Sequence, residues 1–515
     1  RLVLQTTLAA ELTVVGRRLD RVSEQHRYTR DFTLNHLEAA LREIVACFPV
    51  YRTYIRRDDT AVTDRDTAVI GQAVAAARRR NPLLNASLFD FVESVLLQRD
   101  PPDLSPAQLQ ERRTFVTRFQ QLTGPVVAKG IEDTAFYRYL PLLAMNEVGS
   151  DPAAFGEAPR DAHAILEARR RASPHTFSAT ATHDTKRGED TRARLHVLTE
   201  VADAWAAASA QWTALAAPHK TPVDGTLAPD AAEEYLLYQT LVGTWPLGGW
   251  GSEADYVDRI RGYMTKARHE AKTHTSWINP NPEYQRAADA FVESVLDPAR
   301  SGDLLASIGA FVDTIERPGL WNSLSQVVLK VAAPGVPDFY QGTELWDFSL
   351  VDPDNRRLVD YARRRTWLSE MLSEAESRGA PPVESLFAAP NDGRIKLWVT
   401  AAALGLRRAR RGLFEQGSYD PLAPTGVAAG HVFSFARTEG DTAVIAVVGR
   451  FFATLGASPP TGRAWGDTRL PLPASIPQRQ FRDALTGRAI AADGDALPIA
   501  TLFDQLPVAL LETVP

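Results

Sequence analysis

Apolar residues recur every three to four positions over most of residues 1–122, a spacing that predicts helices. Between Asp31 and Cys47, Leu34, Leu37, Leu41, Ile44 and Val45 share one helical face, and Pro49 stops the run. Leu2, Leu4, Leu8, Leu12, Val15 and Leu19 form a similar stripe. That stripe is already running at Arg1, with no Met before it, so an upstream continuation is expected. Val50–Ile55 is β-prone and reads as one short strand. Gly124–Ala128 and Phe177–Thr182 are short apolar runs of the kind found in buried parallel strands. Gln326–Val331 is a third, although the same run also suits the close of a helix.

Five segments follow from this pattern. Residues 1–122 read as a helical subdomain, and 123–190 hold strands with polar ends. Residues 191–325 return to helical spacing, broken by the Gly- and Trp-rich loop Thr244–Trp250. Residues 326–412 carry a last strand and closing helices. Beyond 413 the runs His431–Phe435, Ala443–Val448 and Val508–Glu512, with Pro, Gly and Asp between them, predict an all-β domain, a sandwich. The hexapeptide Phe-Val-Glu-Ser-Val-Leu occurs at 91–96 and 291–296, too short for a structural repeat, and reads as two similar amphipathic helices.

Composition narrows the class. The chain has 515 residues, 44% hydrophobic and 23% charged, with net charge −6, which argues against a nucleic-acid footprint. The basic runs Arg78–Arg80, Arg169–Arg171 and Arg407–Arg411 sit beside Ala and Leu and read as solvated helix faces. Cys47 is the single cysteine, so no intramolecular disulfide forms, and a reducing cytoplasm fits. No run of 18 apolar residues predicts a membrane span.

Three apolar runs end in polar groups: Lys129, Glu132 and Asp133; His183-Asp184; and Asp338, Tyr340, Gln341 and Glu344. In parallel (β/α) barrels the active site lies at the C-terminal ends of several strands. His183-Asp184 equally suits a hydrogen-bonded cap at a strand-to-loop turn. Sugar chemistry favours the functional reading. A carboxylate beside a neutral imidazole accepts from and donates to adjacent hydroxyls, and such bonds strengthen in an oxocarbenium-like transition state. Trp245, Trp250, Trp321 and Trp346 are candidate stacking faces, although a lone Trp is more often core.

These residues carry a resemblance. Phe177–Asp184 resembles the α-amylase-family strand that ends in His-Asp, and Pro334–Glu344 resembles that family's eighth-strand motif, with Asp352–Arg357 after it. Four blocks, Asp31–Asn35, Cys47–Tyr54, Gly124–Tyr139 and Thr182–Arg194, resemble the maltooligosyltrehalose synthases of that family. The resemblance implies the later strands of a (β/α)8 TIM barrel with large helical insertions and a C-terminal β-sandwich. It implies a retaining intramolecular transglycosylation that turns the reducing-end α-1,4 link of a maltooligosaccharide into an α,α-1,1 link. Asp184 then matches the family's third carboxylate, with His183 assisting. Lys129 and Glu132 are implied to hold the reducing-end glucose, and Lys186, Arg187, Tyr340 and Glu344 are weaker candidates. Arg187 equally suits a structural role, paired with an acid such as Glu132 or Asp133.

One departure matters. The family's nucleophile Asp and acid/base Glu come from earlier strands, and no match is found. Asp20 follows a Gly-x-Arg-x pattern but sits in a helical stripe, and Glu93 and Glu293 lie on predicted helices. A barrel takes about 250 residues before insertions, so roughly 150 or more are expected upstream, and this chain alone is expected to be inactive. The expected partners are a maltooligosaccharide and the missing half of the barrel, with no nucleic acid or membrane. No cofactor is called for, since the histidines show no ligand spacing. The alternatives are a non-catalytic α-glucan-binding protein and an α-amylase-family hydrolase.

Overall fold

The computed structural model describes residues 1–58, 61–251 and 253–514. They divide into two units: residues 1–139 with 270–273, and residues 140–269 with 274–515.

The first unit is helical, as its spacing predicts. Its larger helices are Ala9–Ser23, Leu34–Ala46, Asp64–Arg80, Ala86–Leu96 and Pro106–Val127. The side chains of Thr33, Thr63, Asn85 and Ser105 cap four of them, and Ser105 with Gln108 forms a capping box. Leu19, Leu37, Leu41, Ile44, Phe89 and Phe119 are fully buried in its core.

Two expected strands are absent here. Gly124–Ala128 is not a strand: it ends the helix Pro106–Val127 and enters a π-helical turn, Ala128–Glu132. Phe115, Phe119, Leu122 and Val126 are buried at helical spacing, so the core face continues past Gly124 and Pro125. The proposed boundary at residue 122 therefore falls inside a helix. Val50–Ile55 forms no ladder. The Gln120 side chain instead accepts from Ile55 N (2.8 Å) and donates to Ile55 O (2.9 Å).

The second unit holds two short parallel strands, Phe177–Ala179 and Val336–Asp338, paired with Ala179 opposite Asp338. Gln326–Val331 belongs to the long helix Pro298–Ala332, where Leu324, Val327, Val328 and Val331 bury one face. The helix option for that run is thus the one realised, and the strand begins only at Val336. Gly335 makes the transition at φ +122°. A Cβ there would lie 2.6 Å from Ser178 Oγ and 2.7 Å from Thr176 O. Gly335→Ala is therefore expected to cost roughly 2–4 kcal/mol through strain and overlap. A shift in the urea midpoint would register it; an unchanged midpoint would mean that this crossing relaxes freely.

The C-terminal segment is all-β in plan. Six antiparallel strands run in the order Ala489–Ala491, Gln480–Asp483, Val508–Thr513, Thr442–Gly449, Val432–Glu439, Asp420–Leu422. A separate pair joins Arg469–Pro471 to Ala496–Pro498. Along Thr442–Gly449, Val444, Ala446 and Val448 pack with the helices Pro298–Ala332 and Arg394–Ala409. Ala443, Ile445 and Val447 pack with Trp465, Leu470 and Leu497 on the other face. Burial on both faces explains why this strand reads as one unbroken apolar run.

The hexapeptide copies lie on separate helices, Ala86–Leu96 and Pro282–Val295, and Asp20 is helical too. The basic runs close helices, where cations complement the dipole. Arg407 departs from the solvated-face expectation, because it donates to Val331 O (2.6 Å) and Gly335 O (2.5 Å). Among the described residues no helix is long and apolar enough to cross a membrane.

Candidate functional site

The parallel pair delivers two loops to one end. After Ala179 the chain turns at Thr182. Its N–H donates to Thr185 Oγ1 (3.3 Å), Thr185 Oγ1 donates back to Thr182 O (3.0 Å), and Asp184 N–H donates to Thr182 Oγ1 (3.2 Å). Asn355 Nδ2 donates to Thr182 O (3.4 Å) and His183 O (3.3 Å). The polar backbone of the turn is thus largely satisfied from within and from Asn355. The His183 and Asp184 side chains are exposed, and among the described residues neither makes a hydrogen bond or ion pair. A capping role for either side chain is not what this geometry shows; Thr182 and Thr185 cap the turn.

The following residues go inward. Lys186 and Arg187 are buried, 3% and 2% exposed, so they do not form a solvated loop around the turn. The buried Glu147 carboxylate accepts from the N–H groups of Val148 (2.8 Å), Lys186 (2.8 Å) and Arg187 (3.3 Å). Arg192 pairs with it at 3.4 Å. The Arg187 guanidinium donates to Leu143 O (3.3 Å) and Tyr263 Oη (2.7 Å), so its partners are a carbonyl and a hydroxyl rather than the expected acid.

Glu189 and Asp190 open the helix Glu189–His196 and are buried with two lysines. Lys396 Nζ lies 2.7 Å from Glu189 Oε1 and 2.7 Å from Asp190 Oδ2, and Lys330 Nζ lies 3.3 Å from Glu189 Oε2. Asp347 N–H also donates to Asp190 (2.6 Å). Burial alone would raise Glu189, but Lys396 and Lys330 override it and hold the carboxyl at about 2. Burial dominates at Asp190 and pushes it to about 6, against the pull of Lys396. The cluster ties the start of this helix to the loop after Val336–Asp338 and to the helix Arg394–Ala409.

In that second loop Tyr340 is half-buried, and its carbonyl accepts from Thr343 N (3.1 Å) and Oγ1 (2.8 Å). Glu344 is engaged by Arg364 (3.0 Å). Lys129 and Glu132 belong to the first unit. Lys129 pairs with Asp133 at 2.5 Å, and the buried Glu132 accepts from Tyr51 Oη. Of the aromatic candidates, Trp245 and Trp321 are core, Trp321 packing against Phe452, whereas Trp250 and Trp346 are half-buried. Among the described residues no group of three or more His, Cys, Asp or Glu is placed to hold a metal.

Sequence reasoning did not find Glu147, Asn355 or Lys396. Asn355 lay within a block already noted, and Glu147 follows Asn146 before the turn at Gly149. Nothing in the local spacing marks Lys396.

No family model matches the chain. A Mycobacterium tuberculosis protein named for maltooligosyl trehalose synthase is 39% identical over 394 residues, 76% of this chain and 45% of that protein. The solved maltooligosyltrehalose synthase of Arthrobacter ramosus aligns over 100% of this chain and 57% of its own, at 33% identity and TM-score 0.78. The chain is a homologue of the maltooligosyltrehalose synthases. A Sulfolobus tokodaii structure titled as a hypothetical maltooligosyl trehalose synthase aligns over 96% of this chain and 58% of its own, at 25% identity and TM-score 0.66. The chain spans about half the length of these synthases, 45–58%.

Proposed function

We propose that this chain contributes part of the active site of a trehalose-forming glucan transglycosylase. The parallel pair is read as adjacent late strands of a (β/α)8 barrel, and the C-terminal sheet as part of a sandwich. The observation that carries the reading is the exposed Asp184 on a rigidly held turn at the end of a parallel strand. Homology along the whole chain supports it.

In this reading the nucleophile and acid/base lie outside the chain. The bond from the sugar C1 to O4 of the terminal glucose breaks, and C1 becomes esterified to the nucleophile while O4 takes the proton of the acid. The freed glucose turns and attacks C1 through its anomeric hydroxyl. The ester breaks, and the hydroxyl proton returns to the acid/base. No atom is gained or lost, so water must be kept out. Asp184 holds ring hydroxyls as positive charge develops at C1, with His183 beside it. Lys129 and Glu132 are proposed to hold the reducing-end glucose, with Lys186, Arg187, Tyr340 and Glu344 as weaker candidates for contact with the substrate. Arg187 and Glu344 also hold the loops, Arg187 through Leu143 O and Tyr263 Oη and Glu344 through Arg364.

The test is the longer protein incubated with maltohexaose. Reducing ends are expected to fall while little free glucose accumulates. Rising reducing ends with free glucose would indicate a hydrolase. Saturable binding with no change in reducing ends would favour a non-catalytic α-glucan-binding protein.

A further inference from the structure

We propose that Lys272 is a positioning residue for the π-helical turn Ala128–Glu132, the turn that carries Lys129 and Glu132. The inference rests on the reading above that these two residues hold the reducing-end glucose. It adds a device that decides whether that glucose is kept.

Lys272 comes from the helical stretch 191–325, yet residues 270–273 belong to the first unit, as the turn does. It directly follows the helix Tyr256–Ala271, at φ +54°. Glycine is the usual residue in that left-handed conformation after a helix, and another L-residue there costs roughly 1–2 kcal/mol. The contacts of the lysine side chain offset that strain. Its ammonium donates to Asp133 O (3.1 Å), Thr134 Oγ1 (3.0 Å) and Glu270 O (3.0 Å), with Glu270 Oε2 at 3.2 Å. Arg138 completes the latch from the other side, donating to Ala271 O (2.5 Å) and Lys272 O (3.0 Å).

Both grips of the ammonium lead to Lys129. Thr134 Oγ1, which accepts from Lys272, donates in turn to Lys129 O (2.8 Å). Asp133, whose carbonyl Lys272 holds, pairs through its carboxylate with Lys129 Nζ at 2.5 Å. The Asp133 N–H closes the turn on Ala128 O (3.1 Å). Isolated π-helical turns recur at functional sites, and this one is held at its exit by a side chain 139 positions downstream.

The ester at C1 has two fates. Attack by the anomeric hydroxyl of the retained glucose forms the α,α-1,1 link. Attack by solvent water breaks the same ester, puts the water oxygen on C1, returns a proton to the acid/base and lets the glucose leave. The fraction of turnover that ends in free glucose therefore reports how firmly the reducing-end glucose is held. Being a ratio, it does not change when less of the protein is folded.

The test uses the longer protein with maltohexaose, as the parent, as Lys272→Met and as Thr134→Val, which removes the relaying hydroxyl. A misplacement of 1 Å costs up to about 10²-fold in rate, so a rise of roughly fivefold or more in the glucose fraction is expected for Lys272→Met. Thr134→Val is expected to move it in the same direction, and carries the test if Lys272→Met does not fold. Amide hydrogen exchange at Asp133 is expected to quicken in Lys272→Met. A glucose fraction equal to the parent's in both variants would overturn the proposal, and so would unchanged exchange at Asp133. The functional reading fails separately. A parent protein that raises reducing ends is a hydrolase, and exchange at Asp133 then still decides whether Lys272 holds the turn.

Discussion

Replacing Lys396 by methionine is expected to lower the unfolding free energy by about 3–5 kcal/mol, the cost of breaking a buried ion pair by removing one partner. Lys396 is fully buried, 2.7 Å from both Glu189 and Asp190. Methionine matches its length and leaves two acids without their shared cation. Lys330 compensates only in part, because it reaches Glu189 at 3.3 Å. A urea titration at pH 7 measures the loss.

The same change carries a pH signature. In the parent chain Glu189 is held at about 2, below its ordinary 4.5, so its stabilisation is present above pH 4.5 and is lost as pH falls towards 2. Asp190 acts oppositely. Its carboxyl is raised from 3.8 to about 6, so the stabilisation from its bound proton is present below 3.8 and is lost as pH rises through 6. Without Lys396, burial governs both carboxyls, and both hold protons more tightly folded than unfolded. The deficit of Lys396→Met relative to the parent should therefore grow between pH 3 and pH 7. A deficit that is the same at both pH values would mean that lost packing, rather than the stranded carboxylates, destabilises the variant.

This cluster also shows where sequence reading stops. Helical stripes such as Leu34 to Val45 are legible because each residue's burial repeats at one local period. The alternating faces of Thr442–Gly449 are legible as a strand, but their two packing partners are not. Gly124–Ala128 was misread as a strand, and Gln326–Val331 was ambiguous, for one physical reason. A run of four to six apolar residues is the same string whether it fills a strand or the last turn of a buried helix. The deciding residues lie outside the run: Phe115 and Phe119 set the register that Val126 continues. Charged residues are harder. Glu189 and Asp190 have the local pattern of a solvated, acidic helix start. Their partners stand 141 and 206 positions away, at Lys330 and Lys396. Glu147 likewise fixes the backbone of Lys186 from 39 positions upstream. The His-Asp turn was legible as a candidate because its chemistry is carried by adjacent residues. The supports that aim it were not.

Those supports explain why Asp184→Ala should separate catalysis from folding. The Asp184 carboxylate is exposed and makes no hydrogen bond among the described residues, while its N–H is held by Thr182 Oγ1. Removing the side chain leaves the turn intact, and stability should stay within about 0.5 kcal/mol of the parent. Turnover is a different matter. Hydrogen bonds to ring hydroxyls that strengthen in the transition state supply several kcal/mol, and a loss of about 4 kcal/mol is roughly 10³-fold in kcat. In the longer protein, with maltohexaose, kcat is therefore expected to fall by that order while KM moves much less. Asp184→Asn keeps the shape but gives up the charge, and should recover little if charge stabilisation at C1 dominates. Recovery of most of the rate by Asn would assign Asp184 to hydroxyl binding instead. A rate in Asp184→Ala within threefold of the parent would take this residue out of the active site, and with it the observation on which the functional reading rests.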